Sequence, residues 1–377
     1  MPPVRQPLLP GDPAPDFRAR SSASETLFSF NTVAGRYIVL GFFGSTAIEK
    51  NAAILRYALT ELRPMFDDEK LSYFGVSVDP ADEKRLQQSI PGVRFFWDTD
   101  REVSRAYGLL GEEAGGKDFT YTSCTLVLDP FMRVLAVISM ADAAAHNAAL
   151  KETLEGLPAI DDHAGVELSA PVLVLPRVFE PGFCRELIGL YNQHGGIESG
   201  FMRERDGQTV GVLDTAFKRR KDFSFDTGEE FEKLRSNVRA RLKRRLIPAI
   251  LKAFQFEVTR IERYTVACYN GESGGFFRPH RDNTTRGTAH RRFACTLNLN
   301  AEEYEGGNLR FPEFGTKTYR APTGGAVVFS CSLLHEATPV TNGLRYAFLP
   351  FLYDDAAAKI RDENRQFVKQ GFTKIEH

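Results

Sequence analysis

The chain has 377 residues, 42% of them hydrophobic and 26% charged, with a formal net charge of −1. That length exceeds what one hydrophobic core ordinarily serves and predicts two domains of ordinary globular composition. Near-neutral charge argues against bulk nucleic-acid binding, and no window approaches the ~18–20 apolar residues of a membrane span.

The opening, MPPVRQPLLPGDPAPDF, has no long apolar core behind a basic end and does not read as a signal peptide. Short apolar strands follow at YIVLGFF (37–43), LSYFGVSVD (71–79), VRFFWD (93–98), TLVLD (125–129) and VLAVIS (134–139). Helical patterns at 47–66 and 80–89 separate the early ones, which predicts an α/β layer on a mixed sheet. Five cysteines (Cys124, Cys184, Cys268, Cys295 and Cys331) are few, odd in number and without metal-type spacing. Most lie in apolar strand-like contexts, so reduced thiols and a cytoplasmic location are expected.

GDPAPDF together with YIVLGFF and its following helix resembles the peroxiredoxin branch of the thioredoxin fold, over roughly residues 8–158. That family sets its reactive cysteine at the start of the helix after the first long strand, where the helix N-terminus and a nearby arginine lower its pKa. Here the stretch reads GFFGSTAIEKNAAIL and has no cysteine; neither P-x-x-x-[TS]-x-x-C nor C-x-x-C occurs. Cys124 is the only cysteine of this half and is expected to begin a buried strand. Residues 1–158 therefore read as a catalytically dead peroxiredoxin-like, thioredoxin-fold domain. Its role would be to dimerise the protein, bind a partner or shield a second site.

A linker is expected around 157–171, where acidic residues, glycine and prolines mix, and VLVLPRVF (172–179) opens the second domain. EPGFCRELIGLYNQHGG reads as a helix with an early proline and glycines past its end. A longer helical pattern over 229–256 carries Arg235, Arg239, Arg241, Lys243, Arg244 and Arg245 and is expected to be a solvated face; an acidic partner is the sharper alternative. The KRRKDF cluster (218–223) would line a substrate entrance in one reading, and the tail after Asp354 looks helical and amphipathic.

The chemistry concentrates further on. His280-Arg281-Asp282 is followed 53 residues after Asp282 by His335 and ten residues later by Arg345. Side chains alternate along a strand, so His280 and Asp282 point the same way and can grip one ion, provided a later strand brings His335 alongside. Two imidazoles and one carboxylate on one octahedral face leave three positions open, the arrangement of non-haem Fe(II) oxygenases. An H-x-D alone is a weak signal, but its neighbours strengthen it. The glycine-rich GESGG precedes it, the strand-like FACTLNLN follows, and EGGNLRFPEF reads as a turn into another strand. APTGGAVVFSCSLLHEATPVTNGLRYAFLPF then reads as two strands turning through Asn342-Gly343, with His335 and Arg345 facing one cavity. An all-β sandwich with a site in its mouth is expected. Arg345 lies inside a strand pattern, where an unpaired buried guanidinium would cost roughly 3–5 kcal/mol, so it calls for an anion that its fork can bind bidentately.

This order of residues resembles the Fe(II)/2-oxoglutarate dioxygenases of the prolyl 4-hydroxylase-like branch, over roughly residues 168–353. ACYNGESGGFFRPHRDN closely resembles the run into the iron motif of hypoxia-sensing prolyl hydroxylases. The resemblance implies a double-stranded β-helix (jelly roll) with supporting helices over 168–377. It implies Fe(II) on His280, Asp282 and His335, and 2-oxoglutarate with its C5 carboxylate on Arg345. O2 is implied as the second cosubstrate and ascorbate as an optional reductant. Tyr269, just ahead of GESGG, matches a family tyrosine that lines the cosubstrate pocket. Two departures stand out: Leu297 falls where the hypoxia-sensing enzymes place a second pocket tyrosine, and the Tyr269-to-His280 gap is one residue longer.

The implied activity is hydroxylation of a C–H bond coupled to oxidative decarboxylation of 2-oxoglutarate. Its substrate would be a prolyl or other residue of a peptide or protein, with small molecules also open, and no membrane or nucleic acid is involved. A homodimer through the N-terminal domain is expected. The competing reading is a non-catalytic 2-oxoglutarate or iron sensor acting through the peroxiredoxin-like domain; a thiol peroxidase is disfavoured by the missing cysteine. Among isolated residues, Tyr269 has simple core packing as its bland alternative and Arg345 a surface charge. His290 is expected to be solvated in its threonine-rich loop, with a substrate role as the sharper alternative. His146, His163, His194 and His377 read as structural or exposed.

Overall fold

The computed structural model describes residues 7–112, 119–161 and 166–375. It divides into two compact units, Met1–Ser169 with Pro312–Gly315, and Ala170–Phe311 with Thr316–His377. Of the stretch expected as a linker, 162–165 lie outside the described residues.

In the first unit, seven strands order as Ser24–Ser29, Arg18–Ser21, Val93–Trp97, Leu71–Ser77, Tyr37–Gly44, Cys124–Leu128 and Val134–Ser139. Tyr37–Gly44, Leu71–Ser77 and Val93–Trp97 pair in parallel, and every residue of the first two is buried. Such near-continuous apolar runs are what strands covered on both faces require. On the helix Glu49–Thr60, Ile54, Leu55 and Ala58 recur at helical spacing and face the sheet. They join Val39, Tyr73 and Phe95 in one core with Leu150 and Leu154 of the helix Ala143–Glu155. This is the thioredoxin-like layer expected from the alternating strands and helices. The pattern over 80–89 is shorter than expected, a single turn Asp82–Arg85, because the chain goes extended at Leu86.

The turn between Tyr37–Gly44 and its helix is tied down by a carboxylate. Asp82 is fully buried there, and its carboxylate accepts from the Thr46 N–H (3.0 Å), the Thr46 hydroxyl and the Ser77 hydroxyl (2.7 Å), with Arg85 at 3.2 Å. Cys124 does open a buried strand, and burial pushes its thiol up to about 12. At pH 8 its thiolate fraction is then roughly a thousandfold below that of an ordinary cysteine. Native protein is accordingly expected to resist iodoacetamide at Cys124 by about that factor and to react at normal speed in guanidinium. Mass spectrometry of the peptide checks this; rapid alkylation in the native state would show an accessible thiolate.

Among the described residues, the second unit holds three sheets, a small one of Phe201–Arg205, Gln208–Leu213 and Val368–Lys374 and two larger ones that frame the site. The larger runs Leu173–Leu175, Ala326–Ser330, Phe293–Asn298, Val340–Phe348, Thr265–Asn270, Lys221–Ser224, Ile197–Glu198. The smaller runs Lys218–Arg219, Phe276–His280, His335–Ala337, Leu309–Arg310, Thr318–Tyr319. Strand alternation sends Val266 and Cys268 to one face of the larger sheet and Ala267 and Tyr269 to the other. The first face is covered by helices through Leu187, Val238, Leu242, Leu246 and Ile250. The second, with Phe277, Tyr304 and Ala337, looks into the jelly roll.

Two expectations need correction. The helix over 229–256 is interrupted by a π-turn at Leu242–Leu246, just before Pro248. Proline has no N–H to donate and its ring crowds the carbonyl four residues back, so the extra residue of a π-turn relieves the clash. Asn342-Gly343 is not the turn. The chain runs on in one direction through Thr338-Pro339, from His335–Ala337 against Phe276–His280 into Val340–Phe348 against Thr265–Asn270, and Asn342 and Gly343 lie inside that last strand, opposite Glu305 and Tyr304. Gly343 has φ +76°, and a Cβ there would approach the Glu303 carbonyl to 2.6 Å, so the glycine serves a kink in a strand that carries two partners.

Candidate metal centre

His280 ends one strand of the smaller sheet, His335 begins its neighbour, and the two are cross-strand partners in the ladder. Their rings lie 4.3 Å apart between centroids. Asp282 follows two residues on, its N–H anchored to the Cys331 carbonyl at 3.0 Å. His280 Nε2 is 3.6 Å and His335 Nε2 is 3.3 Å from the Asp282 carboxylate oxygens, and one donor atom from each residue falls within 4.8 Å of the others. Donors about 2.1 Å from one ion at right angles stand about 3 Å apart, so these spacings are close to a ligand set.

The tautomers decide whether the set fits a cation. His280 Nδ1 is 2.7 Å from the Arg278 carbonyl and His335 Nδ1 is 3.0 Å from the Leu333 carbonyl. A carbonyl only accepts, so both Nδ1 atoms carry hydrogen and Nε2 is the atom each ring turns toward the carboxylate. Burial, reinforced by repulsion from His335, pushes the His280 imidazole down to about 3 and keeps it neutral. Burial alone would raise the Asp282 carboxyl, but His335 and His280 outweigh it and hold it well below the usual carboxylate range. Two ring nitrogens and a carboxylate therefore converge on one point, a donor set that suits a divalent ion.

The inward-facing cluster that joins Phe277, stacked on His280, to Tyr269 also carries a buried cation. Arg345 is 2% exposed, yet its Nε and Nη1 are buried with no hydrogen-bond partner. Its guanidinium sits 4.6 Å over the ring of Tyr269, its cross-strand partner. Arg220 donates to the Tyr269 hydroxyl at 3.2 Å, leaving the phenolic hydrogen free to donate elsewhere. Arg220 itself forks onto Asp222 with two 2.7 Å bonds, and Lys218 donates to Ser199 Oγ and the Gly200 carbonyl. Phe277 stacks on His280 at 3.5 Å and Phe329 lies 4.6 Å from His335, so aromatic rings wall the ligand set.

Several expectations change. The KRRKDF cluster divides between two sides: Arg219 and Lys221 are exposed, while Lys218, Arg220 and Asp222 are buried. Their shared network with Tyr269 gives no signal in a basic run, since only the fold shows which charges turn inward. On the basic helix, Arg235 is buried and donates to the Phe225, Thr227 and Gly228 carbonyls, while Arg241 and Arg245 pair with Glu180. His290 is 2% exposed, not solvated; the capped turn Arg286–Thr288 sends it inward onto Glu262, which also holds Arg291 at 2.7 Å. Leu297 packs with Phe348 in the helix-covered core, so its neighbour Asn298, not Leu297, takes the opposite side of that strand. His146 is buried against Thr125 at 2.8 Å and His194 stacks on Phe223; His163 and His377 lie outside the described residues.

Such a unit is a jelly-roll region with a two-histidine, one-carboxylate site. Comparison with known proteins agrees: residues 264–353 match the family model of the 2OG-Fe(II) oxygenase superfamily, and residues 10–137 that of the AhpC/TSA family. The chain thus joins a region similar to the AhpC/TSA family to one similar to the 2OG-Fe(II) oxygenase superfamily. It is 33% identical over 93 residues to a PKHD-type hydroxylase of Synechococcus sp. (strain JA-2-3B'a(2-13)), covering 23% of this chain and 41% of that one. To a PKHD-type hydroxylase of Cupriavidus metallidurans it is 40% identical over 85 residues, 20% and 37% of the two chains. The chain thus spans about two-fifths of the length of the curated relatives it matches. Among solved structures, a Trichoplax adhaerens prolyl hydroxylase in complex with a hypoxia inducible factor peptide fragment is similar at 17% identity and TM-score 0.40, covering 51% of this chain and 86% of its own. The Xanthomonas campestris bacterioferritin comigratory protein is similar at 19% identity and TM-score 0.31, covering 37% and 90%.

Metal binding to the folded state alone stabilises it by mass action, about 2.7 kcal/mol at a hundredfold excess over Kd. Anaerobic Fe(II) is therefore expected to raise the Tm of the second unit by roughly 5–10 °C, and His335→Ala to remove the rise. Calorimetry of both proteins checks this; a rise that survives the substitution would place the ion elsewhere.

Proposed function

We propose that this protein is an Fe(II)- and 2-oxoglutarate-dependent dioxygenase that hydroxylates a C–H bond, with a prolyl or other amino-acid residue of a peptide or protein as substrate. The observation that carries the reading is a buried guanidinium with two unpartnered nitrogens on Tyr269, in the same inward-facing cluster as Phe277, which stacks on one of three convergent metal-type donors. In it, His280, Asp282 and His335 hold the ion, and Arg345 holds the far carboxylate of 2-oxoglutarate. Bound iron, 2-oxoglutarate and O2 supply the oxidising power, with succinate and CO2 as coproducts.

The chain's own residues bind, orient and keep water out. The Arg278 and Leu333 carbonyls fix both imidazole tautomers, so Nε2 is the atom offered to the ion. Tyr269 packs under Arg345 and, with its hydroxyl already accepting from Arg220, has one hydrogen to give to the cosubstrate. Phe277 and Phe329 restrict water around the ligands, which strengthens each electrostatic contact. Five buried free cysteines suit a reducing compartment, and ascorbate is an optional addition to the reaction. Residues 1–158 and 168–377 act as separate modules in this reading. The first pairs two copies, its edge strand presenting Leu135 and Val137 at 41% exposure each; a monomeric mass in sedimentation would remove that role.

A second reading, a non-catalytic sensor signalling through the first module, is favoured by one observation: that module's only cysteine is buried with a strongly raised pKa. Steady succinate formation by the iron-loaded protein separates the two in favour of the enzyme.

Arg345 gives a test whose two halves have opposite sign. Replacing a buried, unpaired charge by an apolar group of similar volume relieves desolvation, so Arg345→Met is expected to stabilise the ligand-free protein by about 1–3 kcal/mol. The same change should abolish the Tm rise caused by millimolar 2-oxoglutarate with Fe(II), as well as succinate formation. Unaltered 2-oxoglutarate stabilisation in Arg345→Met would remove this residue from the cosubstrate site.

A further inference from the structure

We propose that the hairpin face formed by Arg203 and Arg205 docks the acidic side chains of an extended peptide substrate beside the metal centre; the inference rests on the hydroxylase reading above. In the strand Phe201–Arg205, alternation puts Phe201, Arg203 and Arg205 on one face and Met202 and Glu204 on the other. The rings of Phe201 and Phe217 lie 6.2 and 5.8 Å from that of Phe277, which is the ring stacked on His280. The Arg203 guanidinium lies 5.0 Å from the centre of the Phe201 ring and 5.6 Å from that of Phe217. A continuous run of rings therefore leads from the metal donors to Arg203.

These two arginines lack an acid of their own. Both are half-buried, neither forms an ion pair among the described residues, and the Arg205 Nε is buried with no hydrogen-bond partner. Glu204, between them, turns to the opposite face and accepts from the Arg286 N–H and the Thr209 hydroxyl. Burial pulls the Arg203 guanidinium below the usual arginine range, with Asp214 opposing and Arg205 adding to the effect. Charge held on aromatic rings without a counter-ion is complementary to a carboxylate, which an arginine fork binds through two parallel bonds. Spacing selects the form of the ligand. Alternate side chains on a strand stand about 7 Å apart, and the same repeat runs along an extended peptide, so two acidic residues separated by one match Arg203 and Arg205. Arg278 and Arg219 add to the positive field: they donate to the Ala216 and Thr215 carbonyls of the turn that bears Phe217, and neither has an ion pair among the described residues.

The test uses the full chain and two fluorescein-labelled peptides. One alternates glutamate and alanine around a central proline, and the other has glutamine for every glutamate. Titrated by anisotropy, the glutamate peptide is expected to bind about tenfold tighter than the glutamine peptide, the usual worth of a hydrogen bond to a charged group. Arg203→Gln combined with Arg205→Gln is expected to bring the two peptides within about twofold of one another and to leave the Fe(II)-induced rise in Tm unchanged. Equal affinity of the unaltered protein for both peptides would overturn the proposal, and so would a preference that survives the double substitution. An oligothymidylate of the same charge that displaces the glutamate peptide equally well would mark a general polyanion surface and overturn it too. The peptide titrations need neither iron nor 2-oxoglutarate, so the two claims separate. Loss of the glutamate preference with 2-oxoglutarate stabilisation intact removes only the docking face; an intact preference without 2-oxoglutarate stabilisation removes only the cosubstrate reading.

Discussion

The arrangement of the second unit depends on three donor groups that the backbone forces onto one point. His280 and His335 each turn Nε2 toward the Asp282 carboxylate because a backbone carbonyl claims the opposite nitrogen. The ladder holds them there, since His280 and His335 are paired residues of adjacent strands and Asp282 is tied to Cys331 by its backbone. Such a set of donors suits a divalent cation. Arg345 is likewise held by its strand, a buried positive charge over the face of the Tyr269 ring. Each place is complementary to a ligand of opposite sign, as a preorganised site must be.

Holding such a site requires stiffness, and it comes from the division of each strand into two faces. Val266, Cys268, Leu297 and Phe348 lock the larger sheet to its helices, while the intervening Ala267 and Tyr269 look inward. A slip of one residue would exchange core for site, so helix packing on the far side also fixes the register of the functional side. This is why the helices matter to the chemistry although none of them supplies a ligand. The buried Lys218–Arg220–Asp222 group acts similarly, pinning the Tyr269 hydroxyl from behind through Arg220.

The metal triad was legible because it uses the simplest rule of strand geometry, two residues apart on one face, and because strand signals flanked it. Arg345 was legible for an energetic reason: a guanidinium in an apolar strand demands a partner. What stayed hidden depends on long-range pairing. Asn342-Gly343 has the composition of a hairpin turn, and only its pairing with Tyr304 and Glu305 on one side and Asn270 on the other turns it into a strand kink. The π-turn before Pro248 was legible in principle, since a proline far inside a helical pattern must be relieved somewhere. His290 looked solvated from its polar neighbours, yet Thr285 and Thr288 cap each other and leave the histidine to face Glu262.

The first unit keeps the thioredoxin-like layer without the cysteine motif of the resemblance. In the turn ahead of its first long helix, Thr46 turns its N–H and hydroxyl onto Asp82, which also takes the Ser77 hydroxyl and sits near Arg85. The polar groups there are satisfied by the chain itself, so this turn is a structural joint. At Arg345 two guanidinium nitrogens have no such partner among the described residues. Two regions of one chain can both be rich in buried charge, and donors left without internal partners are the ones that a ligand of opposite charge would complete.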